Sequence, residues 1–180
     1  MAAPSVSGSL VLLQELYNQK NNAFMRAATL KALTLGTASE AGANPGPDYI
    51  FGWGLMNTEN AAKAILNNGT KSSITEKVLN QGATETFTVV ASGDGPIIAT
   101  IAWTDPEIDI IPAANALNNT TLRLVNDLDM RASDGSTTVF PWILNPAQPA
   151  SAATKGDNFR DNVEQVYIAD AVPGKTYTFT

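Results

Sequence analysis

Apolar residues recur with two different periods along this chain, and the change from one to the other divides it. From Pro4 to about Asn67 the spacing is helical: Val6, Leu10, Leu13, Leu16 and Tyr17 fall on one face of a first helix that runs to about Asn18. Pro4 suits its first turn, where the missing N–H costs no hydrogen bond. Val11 and Leu12 sit on the opposite side, so this helix is apolar nearly all round and reads as one buried inside a larger protein. Asn22 is placed to cap a second helix that carries Phe24, Ala27, Leu30 and Leu35 and stops at Gly36. Asn57 or Thr58 opens a third over 59–67, and the Gly- and Pro-rich stretch from Thr37 to Met56 reads as a loop.

From Lys71 onward the period is two. Phe87, Val89 and Ala91 alternate with Thr86, Thr88 and Val90, and Leu122, Leu124, Leu128 and Met130 share one parity on a second expected strand. Tyr177 and Phe179 repeat the pattern. Further strand candidates are 73–80, 97–104, 138–141 and 163–170, with Ala147 to Ala153 as a low-complexity loop. Short strands between Gly, Pro, Asn and Asp clusters predict an antiparallel sandwich of jelly-roll type. The expectation is therefore an α+β chain with a helical part over 1–69 and a β-sandwich over 70–180.

Composition narrows the function. In 180 residues, Lys and Arg number 11 against 17 Asp and Glu, a net charge of −6, which argues against a nucleic-acid partner because there is no cationic excess to displace counterions. Cysteine is absent, which removes thiolate chemistry, and so is histidine, the commonest general base. No Ser-His-Asp triad can be assembled from these residues. The longest apolar runs, such as 97–103 and 6–13, fall far below the roughly 20 residues of a spanning helix, so no membrane segment is expected. The first residues lack the features of a signal peptide, so an export signal is expected upstream.

Three stretches carry a resemblance. Met1-Ala2-Ala3-Pro4-Ser5-Val6-Ser7-Gly8 resembles the segment that follows the nucleophile in subtilisin-like serine proteases, where Gly-Thr-Ser precedes it. Leu30 to Ala38 looks like the next helix of that fold, and Gly52-Trp53-Gly54 with Asn57 and Ala61 resembles the turn and final helix of the catalytic domain. In the second region, Ile101 to Pro106, Leu124 to Asp129, and Asp157-Asn158 through Asn162-Val163-Glu164 look like the β-sandwich appended to a subset of secreted bacterial subtilases. The resemblance implies peptide-bond hydrolysis by a serine, with a histidine base and an orienting aspartate. The family's chain order of Asp, His, Ser would put all three before Met1. The chain is then expected to be the C-terminal part of a secreted endopeptidase acting on protein or peptide substrates. By itself it would be inactive and, with its first helix uncovered, prone to self-association. Ser5 and Ser7 have no base and read as packing residues.

Asp127 and Asp129, two apart on an expected strand, would share one face at roughly 7 Å. Like charges so placed repel unless a cation intervenes, and calcium takes six to eight oxygen ligands. Asp157, Asn158, Asp161 and Asn162 form a second oxygen-rich cluster. A structural calcium on Asp127, Asp129, Asp157 and Asn162 is one reading, which calcium-bearing relatives of the sandwich support; a solvated acidic face eased by Arg123, Arg131 or Arg160 is the other. A glycoside hydrolase has no support beyond the paired carboxylates. Trp53, Trp103 and Trp142 fit packing better than a sugar platform, although a noncatalytic sandwich that binds carbohydrate or protein is the rival functional class.

Overall fold

A computed structural model describes residues 2–180. Three helices, α1 (Ala2–Asn21), α2 (Ala27–Gly36) and α3 (Thr58–Leu66), precede eight strands: β1 (Phe87–Val90), β2 (Ile97–Ala102), β3 (Ala132–Ser133), β4 (Thr138–Val139), β5 (Trp142–Ile143), β6 (Thr154–Lys155), β7 (Val163–Ile168) and β8 (Thr176–Phe179). The α+β class matches the sequence pattern.

α1 outlasts its apolar stripe and stops where Asn22 takes the left-handed conformation (φ 54°), its amide donating to the Asn18 carbonyl at 2.8 Å. Asparagine tolerates that geometry better than other side chains. Asn22 therefore ends α1 and does not cap α2. The start of α2 is served from a distance instead: Glu76 accepts from the Arg26 amide at 2.9 Å and the Thr29 hydroxyl at 2.5 Å, and it pairs with the Arg26 guanidinium. A carboxylate there also complements the helix dipole. Asn57 caps α3 as expected, accepting from the Asn60 amide at 2.8 Å.

The helices share a core of Leu13, Met25, Leu33, Ala61 and Ile65. Leu16 and Tyr17 pack beside it, but Val11 is 66% and Leu12 60% exposed, so the apolar side that the sequence shows opposite the stripe is left uncovered by the described residues. Between α2 and α3 the loop closes by a two-way backbone bridge between Ser39 and Leu55, 2.8 Å each way. Gly54 (φ 99°) makes this closure possible, since a Cβ there would lie 2.2 Å from the Ser39 carbonyl oxygen.

In the β half, β1, β8, β3 and β4 form one antiparallel sheet in that order, β2 pairs with β7, and β5 pairs with β6. The first two sheets share a core of Ala91, Met130, Ala132, Val166, Ile168, Tyr177 and Phe179. Phe179 is fully buried and stacks on Phe87 at 5.0 Å between ring centroids.

Two expected strands do not form. Residues 73–80 run as an exposed connector, with Val78 74% exposed. In the stretch 122–130, Asp105 accepts the Val125 and Asn126 amides at 2.6 and 2.9 Å, so those donors are withdrawn from any ladder. Pairing begins only at Arg131, which exchanges backbone hydrogen bonds with Thr180.

β7 is buried on both sides. Its Val166 and Ile168 face the four-stranded sheet, while Gln165, of the other parity, donates to the Leu35 carbonyl of α2 at 3.5 Å and to Thr100 at 3.3 Å. Gly36 permits the approach, because a Cβ there would meet the Thr100 hydroxyl at 2.8 Å.

Candidate metal centre

Residues that the sequence disperses over forty positions meet at the mouth of the β core. The segment before β3 brings Asp127, Asp129 and Met130; the turn before β7 brings Asp157 and Asn158; β7 itself supplies Glu164. Oxygens of Asp129, Asp157 and Glu164 all lie within 4.8 Å of one another. Glu164 points inward, with the parity of Val166 and Ile168, and is 1% exposed. Its Oε2 accepts from the Met130 amide at 2.5 Å, and its Oε1, buried, has no hydrogen-bond partner among the described residues.

The electrostatics record the crowding. Burial pushes the Glu164 carboxyl up to about 7, the Met130 and Asn158 backbone amides opposing and the Asp129 and Asp157 charges adding. Asp129 is raised chiefly by the hydrogen bond it shares with Asp157, and then by burial and the Asp157 charge, with Arg131 pulling the other way. Asp127 is raised by burial and by Asp157. Arg131 approaches Asp129 at 3.2 Å and Asp157 at 3.9 Å, one cation against several acids.

This set fits calcium. Oxygens bound to one calcium at 2.3–2.6 Å stand at most about 5 Å apart, which is the spread found here, and an unpartnered buried carboxylate oxygen is a ready hard ligand. Asp129 and Asp157 meet in this cluster, and Asp127 lies near enough for the Asp157 charge to raise its carboxyl. Asn162 does not join them: its Oδ1 accepts from Lys31 at 2.5 Å and its Nδ2 donates to the Trp103 carbonyl at 2.8 Å, so its side chain is engaged towards α2 and the end of β2. Glu164 is the member that period alone missed. Its signal was a carboxylate inside the run Val163-Glu164-Gln165-Val166-Tyr167-Ile168, where an acid can be buried only with a partner.

The three tryptophans are all half-buried. Trp103 donates to the Asn126 carbonyl at 2.9 Å. Trp53 and Trp142 line a groove of about 370 Å³ with Lys31 and Leu35 of α2 and Val163 of β7. Lys155 sits on the Trp142 ring, 3.2 Å from its centroid, and the Gly46 backbone presses against the same ring system. That indole is packed, not presented as a flat sugar platform. Asn68, Asn118 and Asn119, which open the triplets Asn-Gly-Thr, Asn-Asn-Thr and Asn-Thr-Thr, serve turns: Asn68 accepts from the Ile74 amide at 2.8 Å, Asn118 is left-handed, and Asn119 accepts from the Thr121 amide at 2.9 Å.

Residues 1–54 match the model of the subtilase family, peptidase S8. The matched segment takes in α1, α2 and the loop that Gly54 closes, and it supports a serine-protease parentage for this end of the chain. Comparison with curated proteins finds no match.

Proposed function

We propose that this chain is the C-terminal part of a secreted subtilisin-like serine endopeptidase, in which residues 1–69 complete the catalytic domain and residues 70–180 form an appended sandwich-type β domain. The family match over residues 1–54 carries the reading. Two features accord with it. α1 is long and apolar on faces that nothing here covers, as suits a helix that runs through the core of a larger domain. The chain also has no histidine, so the base of a serine triad must come from residues outside it.

On this reading the nucleophile stands directly before Met1, at the N-terminal end of α1, where the helix dipole favours developing negative charge. Asp127, Asp129, Asp157 and Glu164 hold a structural calcium that neutralises the acidic cluster and fixes the β domain.

The test is hydrolysis of casein by the 180-residue chain and by the chain extended upstream through the Asp and His motifs. The extended protein should turn over casein and lose that activity to a serine-directed inhibitor, whereas the 180-residue chain should show none. Inhibitor-sensitive turnover by the 180-residue chain, or an upstream sequence without those motifs, would overturn the proposal.

A further inference from the structure

The turn between the acidic cluster and β7 has two ends with different partners. At one end Asp157 stands against Asp129, and Glu164 closes the cluster from the strand. At the other, Asn162 accepts from Lys31 of α2 through its side chain at 2.5 Å and through its backbone carbonyl at 3.4 Å, and it exchanges hydrogen bonds with Trp103 at the end of β2. The turn itself is braced. Asn158, 5% exposed, donates from its side chain to the Val163 carbonyl at 3.2 Å and accepts from the Arg160 amide at 3.2 Å, while Arg160 donates to the Thr120 carbonyl at 2.9 Å. A turn closed in this way moves as one piece.

α2 packs chiefly on β2 and meets β7 through Gln165, and from this we infer that cation occupancy of the acidic cluster controls how firmly α2 docks on the β2–β7 pair, with Asn162 as the positioning residue that relays it. The inference rests on reading the cluster as a calcium site. Without a cation, the carboxylates of Asp129, Asp157 and Glu164 lower their repulsion by moving apart. Glu164 is fixed in the ladder opposite Ile101, and Asp129 is tethered beside it by the bond from the Met130 amide to Glu164 and by the Arg131–Thr180 pairing, so the more movable partner is Asp157. Displacing Asp157 carries the braced turn with it and takes Asn162 from Lys31. The subtilase-like helices and the β domain then loosen together, although no ligand of the cation touches α2.

Terbium luminescence on the 180-residue chain reads binding, and amide hydrogen exchange with calcium or with chelator reads docking. Chelation should raise exchange over 27–36 and 163–165 by at least tenfold, and calcium should reverse it. Asn162→Ala should leave the terbium midpoint within twofold of wild type yet keep α2 in fast exchange at saturating calcium. Lys31→Met, which alters the other side of the contact, should do the same and serves should Asn162→Ala misfold by circular dichroism. Terbium binding with exchange changes confined to 127–131 and 157–164 would refute the relay and leave the calcium reading intact. A midpoint weakened tenfold by Asn162→Ala would make Asn162 a ligand and also refute the relay. No terbium binding at all would overturn both.

Discussion

Glu164→Gln separates a cation ligand from a structural carboxylate, because its effect should change sign with calcium. Glutamine keeps an acceptor for the Met130 amide and turns a donor towards Asp129 and Asp157, so the shape and the 2.5 Å contact are conserved while one charge is lost. In the folded chain this carboxyl is raised from 4.5 to about 7, so between those values the native state holds more protons than the unfolded one. The stability it contributes is present in full below pH 4.5 and is lost as pH rises through about 7. Taken whole, the difference amounts to about 3 kcal/mol, which screening at the exposed Asp129 and Asp157 side reduces to about 1–2 kcal/mol. In chelator at pH 8 the variant should therefore be the more stable protein, by about 2–6 °C in Tm. In millimolar calcium the order should invert, since the variant loses a carboxylate ligand and binds at least about tenfold more weakly, roughly 1.4 kcal/mol. Thermal melts across pH 4–8, with and without calcium, decide it. A variant less stable than wild type in chelator at every pH would show that the ionised Glu164 is already satisfied within the protein.

Other substitutions test the frame around the site. Gly54→Ala places a Cβ 2.2 Å from the Ser39 carbonyl at a positive φ, and it should cost about 3 kcal/mol or more in urea unfolding, against about 1–2 kcal/mol for Gly52→Ala, which bears the cost of a positive φ (61°) but adds its atom in open space. Asn57→Ala removes the α3 cap and the link from its side chain to the Ser39 hydroxyl at 2.9 Å, and should lower stability by about 1–2 kcal/mol in the same assay. Phe179→Ala empties the centre of the β core and should cost about 3–5 kcal/mol by denaturant titration. Val11→Glu on the uncovered face of α1 should leave the Tm within about 2 °C and reduce self-association measured by light scattering; persistence of the same oligomers would place the contact elsewhere.

Where local forces decide structure, the sequence could be read directly. The i, i+3, i+4 stripe gave α1, Asn57 gave the start of α3, and the alternation at Phe87, Val89, Tyr177 and Phe179 gave strands that do pair with each other. The failures share a cause in long-range hydrogen bonds. Glu76, fifty residues on, serves the start of α2 in place of Asn22, and Asp105 takes the two amides that 122–130 needed to form a ladder. The site was legible in the same proportion. The Asp-x-Asp pair and Asp157 were visible as acids that need neutralising, whereas Glu164 became a partner only because β7 turns that parity inward. Asn162, its neighbour by two, faces α2 instead.

The double coverage of β7 makes the β half a poor candidate for transplantation. Excised at the apparent boundary, it would present Thr100, Val163 and Gln165 to water on a two-stranded ribbon, an invitation to templated aggregation. Whoever wishes to graft this module onto another protein must carry α2 along with it, or redesign that face with charge first.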